Sequence, residues 1–167
     1  MSGSREAKRR AEPVLRTFVA RVVDVGPRVE DAKLVKIGIN AMLAGTMELL
    51  AESAVLLEAS GVPRDVFSDA LAGSVLNSVF TGYKLDALIR RDYAATFATR
   101  DLRKDIGLAV NQGDAAGVDL PFAELLADLL DEAVEYGWGD VDFLSLVPRL
   151  QVESGVSSDL PTAEATS

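Results

Sequence analysis

From Val29 to Ser60 the chain carries no proline and no cluster of turn residues, and Gly61 stands where a helix C-terminal cap belongs. A helix over that stretch would be roughly 45 Å long at about 1.5 Å per residue. Its middle, Ile37 to Leu50, is apolar around most of its circumference. Such a helix is a central one, covered by neighbouring helices or by a second subunit. The rest of the fold has to be built around it.

The remaining segments are short and mostly helical. Residues 4 to 16 read as a helix with Ser4 as its cap and Pro13 near its last turn. Pro63 opens a helix running to about Ala72. Ser74 caps another that reaches Tyr83, and a further helical stretch covers Asp86 to Arg90. Phe97 lies in a connection. Thr99 starts a helix that Gly117 stops, Pro121 opens one ending at Tyr136-Gly137, and Asp142 caps a last short helix reaching about Val147. One strand is expected, Arg21 to Val25, because its β-branched run stops at Gly26-Pro27. A lone strand cannot satisfy its own backbone groups, so it calls for a sheet that no other segment offers. From Gln151 the Ser-, Thr-, Asp- and Glu-rich tail has no periodicity and reads as disordered. The fold class expected is all-α.

Composition removes whole classes of function. There is no cysteine and no histidine. Disulfides, thiolate chemistry, Ser-His arrangements and nearly all zinc sites go with them. Acid/base chemistry must come from Lys, Asp, Glu or Tyr. A net charge of −9 argues against nucleic acid, which needs clustered basic charge. The one basic run, Lys8-Arg9-Arg10, reads as a solvated helix face. No apolar run reads as a membrane span and no signal peptide is visible, so a soluble, cytoplasmic protein is expected.

Three places carry polar groups of interest. Lys36 and Asn40 lie four residues apart in the long helix, hence on one face a turn apart. A lysine desolvated in an apolar helix can exchange a proton with a hydroxyl near neutral pH. Asn40 could then hold the amine or a substrate oxygen, and Gly38 leaves room for a ligand. The alternative is a snorkelling lysine beside a polar helix position. Lys104 and Asp105, downstream of Phe97, could meet a phosphate and a cation. They could equally belong to a solvated face formed by Arg100, Asp101, Arg103, Lys104 and Asp105. Gly137 to Asp142 reads as a tight turn and helix start; a metal site there would rest on two aspartates without a richer oxygen cage. No glycine loop for phosphates is found anywhere in the sequence.

Taken in order, these segments resemble the 3-hydroxyisobutyrate-dehydrogenase-like family, the β-hydroxyacid dehydrogenases. The matching features begin with the Gly26 turn and the pair Lys36 and Asn40. They continue through Ala51-Glu52-Ser53-Ala54 and Glu58-Ala59-Ser60-Gly61-Val62 to the Ser turn at Ala72-Gly73-Ser74. Phe97 ahead of Lys104-Asp105, the Leu120-Pro121 helix start and Gly137 to Asp142 complete the similarity, which covers about residues 10 to 150.

The resemblance implies a bundle like the C-terminal domain of 6-phosphogluconate dehydrogenase around one long helix, over residues 27–150. Residues 1–26 would be a remnant helix and strand of a Rossmann domain, and 151–167 a disordered tail. It also implies hydride transfer between NAD or NADP and a small 3-hydroxy acid. Lys36 would be the acid/base, and Asn40, Phe97 and Asp105 would line the substrate side. Lys104 would reach the cofactor. Lysine at position 36 favours the dehydrogenases over the related imine reductases. The glycine loop and the Ser-Gly-Gly substrate clamp of the family are missing from this sequence. The chain alone is therefore expected to be inactive, to bind cofactor weakly, and to need a separate nucleotide-binding domain. Homodimers or larger homo-oligomers are expected through the long helix. The rivals are a non-catalytic homodimerisation module left by a truncated gene, and a small-molecule binding protein.

Overall fold

The computed structural model describes residues 1–156, and over them the chain is mostly helical with no strand. Contacts divide it into two units that meet between Asn40 and Ala41, inside the long helix. The boundary expected near residue 26 falls within the first unit.

In the N-terminal unit, α1 (Arg5–Leu15) begins where Ser4 accepts a hydrogen bond from the Ala7 amide at 3.2 Å, the expected cap. The segment expected as a strand, Arg21 to Val25, instead has no regular secondary structure. Its backbone finds partners in the first residues of the chain. The Met1 amine donates to the Val23 carbonyl at 2.6 Å, the Val25 amide to the Met1 carbonyl at 3.0 Å, and the Gly3 amide to the Gly26 carbonyl at 3.2 Å. Three residues are too short an edge to make a ladder, which is why no strand forms. Lys8 anchors the turn by bonding both oxygens of Asp24 at 2.7 Å, and that contact holds the Asp24 carboxyl below its ordinary range. The Ser2 hydroxyl accepts from the Ala32 amide at 3.2 Å and so caps the start of α2.

The long helix α2 runs Asp31–Ala59, and Gly61 follows at φ +84° as the expected stop. Mean hydropathy of 1.4 over an 18-residue window would let α2 cross a membrane by length and composition alone, which the sequence reading did not expect. Of that window, 44 % is buried inside the protein, as in a core helix.

In the C-terminal unit, Ala44, Met47, Ala51 and Ala54 recur every three or four residues along α2 and face the core. Packed with them are Leu85 and Leu88 of α4 (Val79–Arg90), Leu102 and Ile106 of α5 (Thr99–Ala116), and Leu126 and Leu130 of α6 (Pro121–Ala133). Phe143 and Leu144, in a short 3-10 turn (Phe143–Ser145), and Leu146 and Val147 of α7 (Leu146–Glu153) close the core. Between α2 and α4, α3 (Arg64–Ala72) starts at Pro63 as expected. Ser74 does not cap the next helix: Ser78 does, and the two stretches read separately from 74 to 90 are the single helix α4. A π-helical turn, Val134–Trp138, ends α6, with Gly137 at φ +87°. The last helix continues to Glu153, past the expected start of the tail, and Gln151 is buried. Residues 157–167 of that tail lie outside the described residues.

Two polar clusters, one buried and one half-buried, hold α7. Arg149 donates to Glu48 of α2 at 2.8 Å and to Glu132 of α6 at 3.0 Å. Glu58 of α2 accepts from Gln151 at 3.2 Å and from Arg64 at 2.9 Å. Apolar periodicity alone could not foresee these contacts.

Candidate functional site

The residues singled out by sequence fall in both units. Lys36 and Asn40 sit one turn apart on the first turns of α2, as their spacing requires. Asn40 is buried, whereas Lys36 is exposed. The described residues thus leave the Lys36 side chain on the outside of α2. A charged ammonium on an exposed helix face keeps its hydration; only a ligand or another protein surface laid over it would remove that water.

Phe97, Lys104 and Asp105 lie in the C-terminal unit, around the start of α5. Asp105 is buried and Lys104 is exposed. Lys104 stands 3.4 Å from Asp101 one turn away, Arg100 pairs with Asp140, and Arg103 forks onto Asp131 of α6 at 2.7 and 2.8 Å. The solvated-face reading thus describes Asp101 and Lys104 but not Asp105, which turns inward. Phe97 is half-buried, and its ring meets that of Phe143 edge-on at 5.9 Å between centroids.

What fixes Phe97 and the start of α5 is the Gly137 to Asp142 segment. Val141 accepts at its carbonyl from the Thr99 amide at 2.9 Å, and Gly139 from the Arg100 amide at 3.0 Å. An isolated antiparallel bridge joins Ala98 to Asp142. The Asp142 carboxylate caps the 3-10 turn, as expected, by accepting from the Leu144 amide at 2.9 Å. It also accepts from the Thr96 amide at 3.0 Å, the Thr96 hydroxyl at 2.7 Å and the Phe97 amide at 3.3 Å. The sequence points to this aspartate as a cap and as the end of the closing family motif, not as a partner of Thr96 and Phe97.

The residue it missed altogether is Lys84. Its side chain is 1 % exposed, and Nζ lies 2.5 Å from Asp142 and 4.0 Å from the centroid of the Phe143 ring. Burial pushes its pKa down, and the Asp142 carboxylate partly opposes that shift. The signal was present: Lys84 is flanked by Tyr83 and Leu85 on an apolar helix, the same setting that drew attention to Lys36. A cavity of about 210 Å³ opens beside it, lined by Tyr83, Asp86, Arg90, Thr96 and Asp142 among others.

Comparisons with known proteins place these residues in a wider frame. Residues 31–150 match the family model described as NAD-binding of NADP-dependent 3-hydroxyisobutyrate dehydrogenase. The chain is 29 % identical over 146 residues to an uncharacterized oxidoreductase, YfjR, of Bacillus subtilis, a match covering 87 % of this chain and 51 % of that protein. It is 28 % identical over 125 residues to glyoxylate/succinic semialdehyde reductase 1 of Arabidopsis thaliana, covering 74 % of this chain and 43 % of that one. Among solved structures, 3-hydroxyisobutyrate dehydrogenase from Salmonella typhimurium is similar with a TM-score of 0.82 at 25 % identity, over 87 % of this chain and 51 % of that chain. The chain spans about half the length of the curated relatives it matches.

Proposed function

Since the chain belongs to the NADP-dependent 3-hydroxyisobutyrate dehydrogenase family of NAD(P)-dependent oxidoreductases, we propose that it is the helical substrate-side and dimerisation domain of a hydroxyacid dehydrogenase. Its architecture in this reading is the C-terminal bundle of the 6-phosphogluconate dehydrogenase type. The observation that carries the proposal is that the matched stretch, residues 31–150, contains Lys36, Asn40, Phe97, Lys104 and Asp105.

The residues present fit one side of a nicotinamide dinucleotide. Lys104 offers an exposed ammonium at the start of α5, where a phosphate oxygen could be met, and Asp105 offers a buried carboxylate beside it. The sequence holds no glycine loop for the pyrophosphate, so that part of the binding energy comes from a separate nucleotide-binding domain. When bound, the nicotinamide supplies or accepts the hydride. In this reading Lys36 exchanges the hydroxyl proton of a small 3-hydroxy acid, or of the corresponding semialdehyde acid. Asn40 orients the lysine or the substrate oxygen, and Phe97 and Asp105 line the substrate side. A nucleotide-binding domain and substrate laid over Lys36 would supply the desolvation that the exposed helix face lacks. The assembly is cytoplasmic and homo-oligomeric in the same reading.

The test joins the chain to a matching nucleotide-binding domain, fused or co-expressed. The chain alone should show no turnover, because positioning a dinucleotide beside a substrate is worth several kcal/mol by itself. The assembly should reduce a small semialdehyde acid with NADH or NADPH. Lys36→Met should lower that rate by roughly 10²-fold or more and leave cofactor affinity nearly intact. Full activity in the Lys36→Met assembly would remove the lysine from the mechanism. A rival reading, a dimerisation module without catalysis, draws support from the exposed apolar side chains of Met42, Leu49 and Leu56, and predicts an inactive assembly.

A further inference from the structure

We propose that Lys84 is a positioning residue for the substrate-side loop: acting through Asp142 and Phe143, it holds Thr96 and Phe97 in place at the start of α5. The inference rests on the reading above, that Phe97 faces the substrate. Its basis is that one buried cation touches both supports of Phe97. The first support is the Asp142 carboxylate, whose Oδ1 accepts from Lys84 Nζ and the Leu144 amide. Its Oδ2 accepts from the amides of Thr96 and Phe97 and from the Thr96 hydroxyl. The second support is the Phe143 ring, which lies under the Lys84 ammonium and meets the Phe97 ring edge-on. Lys84 also donates to the Thr96 hydroxyl at 3.2 Å, closing a triangle of Lys84, Thr96 and Asp142.

The chemistry explains why a lysine is needed there. Asp142 is almost fully buried, and a carboxylate in that setting is costly unless its charge and lone pairs are satisfied. Without Lys84 one of its oxygens would lose the ammonium, and the adjoining cavity has room for water to take that place. A carboxylate that turns toward that water pulls away from the amides of Thr96 and Phe97, which donate to it. Burying an ion pair is an expensive way to gain stability, since apolar side chains of the same volume often serve as well. It is an effective way to fix a loop, because every bond to the carboxylate is directional.

The test compares Lys84→Met and Lys84→Arg with the wild type in two measurements. Amide exchange on the whole chain should show the Thr96, Phe97 and Leu144 amides of Lys84→Met exchanging about tenfold faster or more, with Leu126 and Leu130 in α6 unchanged. In the assembly with a nucleotide-binding domain, using 3-hydroxyisobutyrate and NADP as probes, Lys84→Met should raise KM for the hydroxy acid about tenfold. There kcat should stay within about twofold and KM for NADP should not move. Lys84→Arg should recover most of both effects. Should Lys84→Met not fold, Thr96→Val replaces it; that change deletes one carboxylate contact in a loop and should raise KM about threefold. Faster exchange spread evenly over α5 and α6 would overturn the proposal, as would an unchanged KM beside a loosened loop; either would make Lys84 part of the general packing. If the wild-type assembly turns nothing over, the dehydrogenase reading fails, and the exchange pattern alone then decides whether Lys84 holds the loop.

Discussion

Glu48 is 3 % exposed in the middle of α2, bonded through one oxygen to Arg149, while Oε2 has no hydrogen-bond partner among the described residues. Burial pushes its pKa above the ordinary 4.5, and Arg149 only partly offsets this. With the folded value raised, the Glu48 contribution to stability is complete below 4.5 and is lost as pH rises through the folded value. The stability advantage of the wild type over Glu48→Gln should therefore be larger at about pH 5 than at about pH 8, by urea titration at both. An advantage that grows with pH would show that Arg149, not burial, dominates the site. Residues of this kind were not legible in the sequence. A glutamate or a lysine in an apolar helix looks the same whether it points out, as Lys36 does, or in, as Lys84 does. The difference is made by a partner far along the chain, Arg149 for Glu48 and Asp142 for Lys84, which periodicity does not reveal.

At the scale of elements the sequence was far more informative, because helix ends are written locally. Ser4, Pro63, Pro121, Gly61 and Gly117 all stand at the boundaries they imply. Ser74 and Ser78 show where the local code is ambiguous: both are capping residues ahead of an apolar run. Ser78 prevails because Thr81 bonds back to its amide at 2.9 Å while the Thr81 amide donates to the Ser78 hydroxyl at 3.1 Å. That reciprocal pair is a capping box with threonine in the usual glutamate position. Ser78→Ala should lower stability by about 1 kcal/mol, and Ser74→Ala by clearly less, in matched thermal or urea unfolding. Equal losses would mean that the turn from Gly73 to Asn77 matters as much as the cap. No strand forms at Arg21 to Val25 because β-branched residues report a preference for extended backbone, while a strand also requires a partner edge. The last helix runs beyond Gln151 for a related reason: Gln151 is polar, and its burial depends on Glu58, far away in sequence.

At the scale of the whole molecule, the apolar middle of α2 implied more cover than the neighbouring helices provide. Met42 is 73 % exposed, Leu49 58 % and Leu56 66 %. These three lie seven residues apart, with Thr46 and Ser53 between them, so they form one seam along the outer face of the helix. Beside the seam is a groove of about 490 Å³, lined by Leu49, Phe67, Leu71, Val75 and Leu76 among others. Isolated apolar side chains on a surface require no explanation, but a seam beside an apolar groove is the pattern of an interface. In the homo-oligomer proposed above, a two-fold axis across α2 would set each seam against its copy, since such an interface is self-complementary. The chain should therefore run as a dimer or larger in light scattering at micromolar concentration. Met42→Glu combined with Leu49→Glu should shift it to monomer, because two carboxylates facing two others across a dry seam cannot all keep their hydration. Both positions are exposed in the single chain, so the helical circular-dichroism signal of the double variant should match the wild type. A wild-type monomer at micromolar concentration would leave the seam for another protein surface. A double variant that remained dimeric would move the interface away from α2.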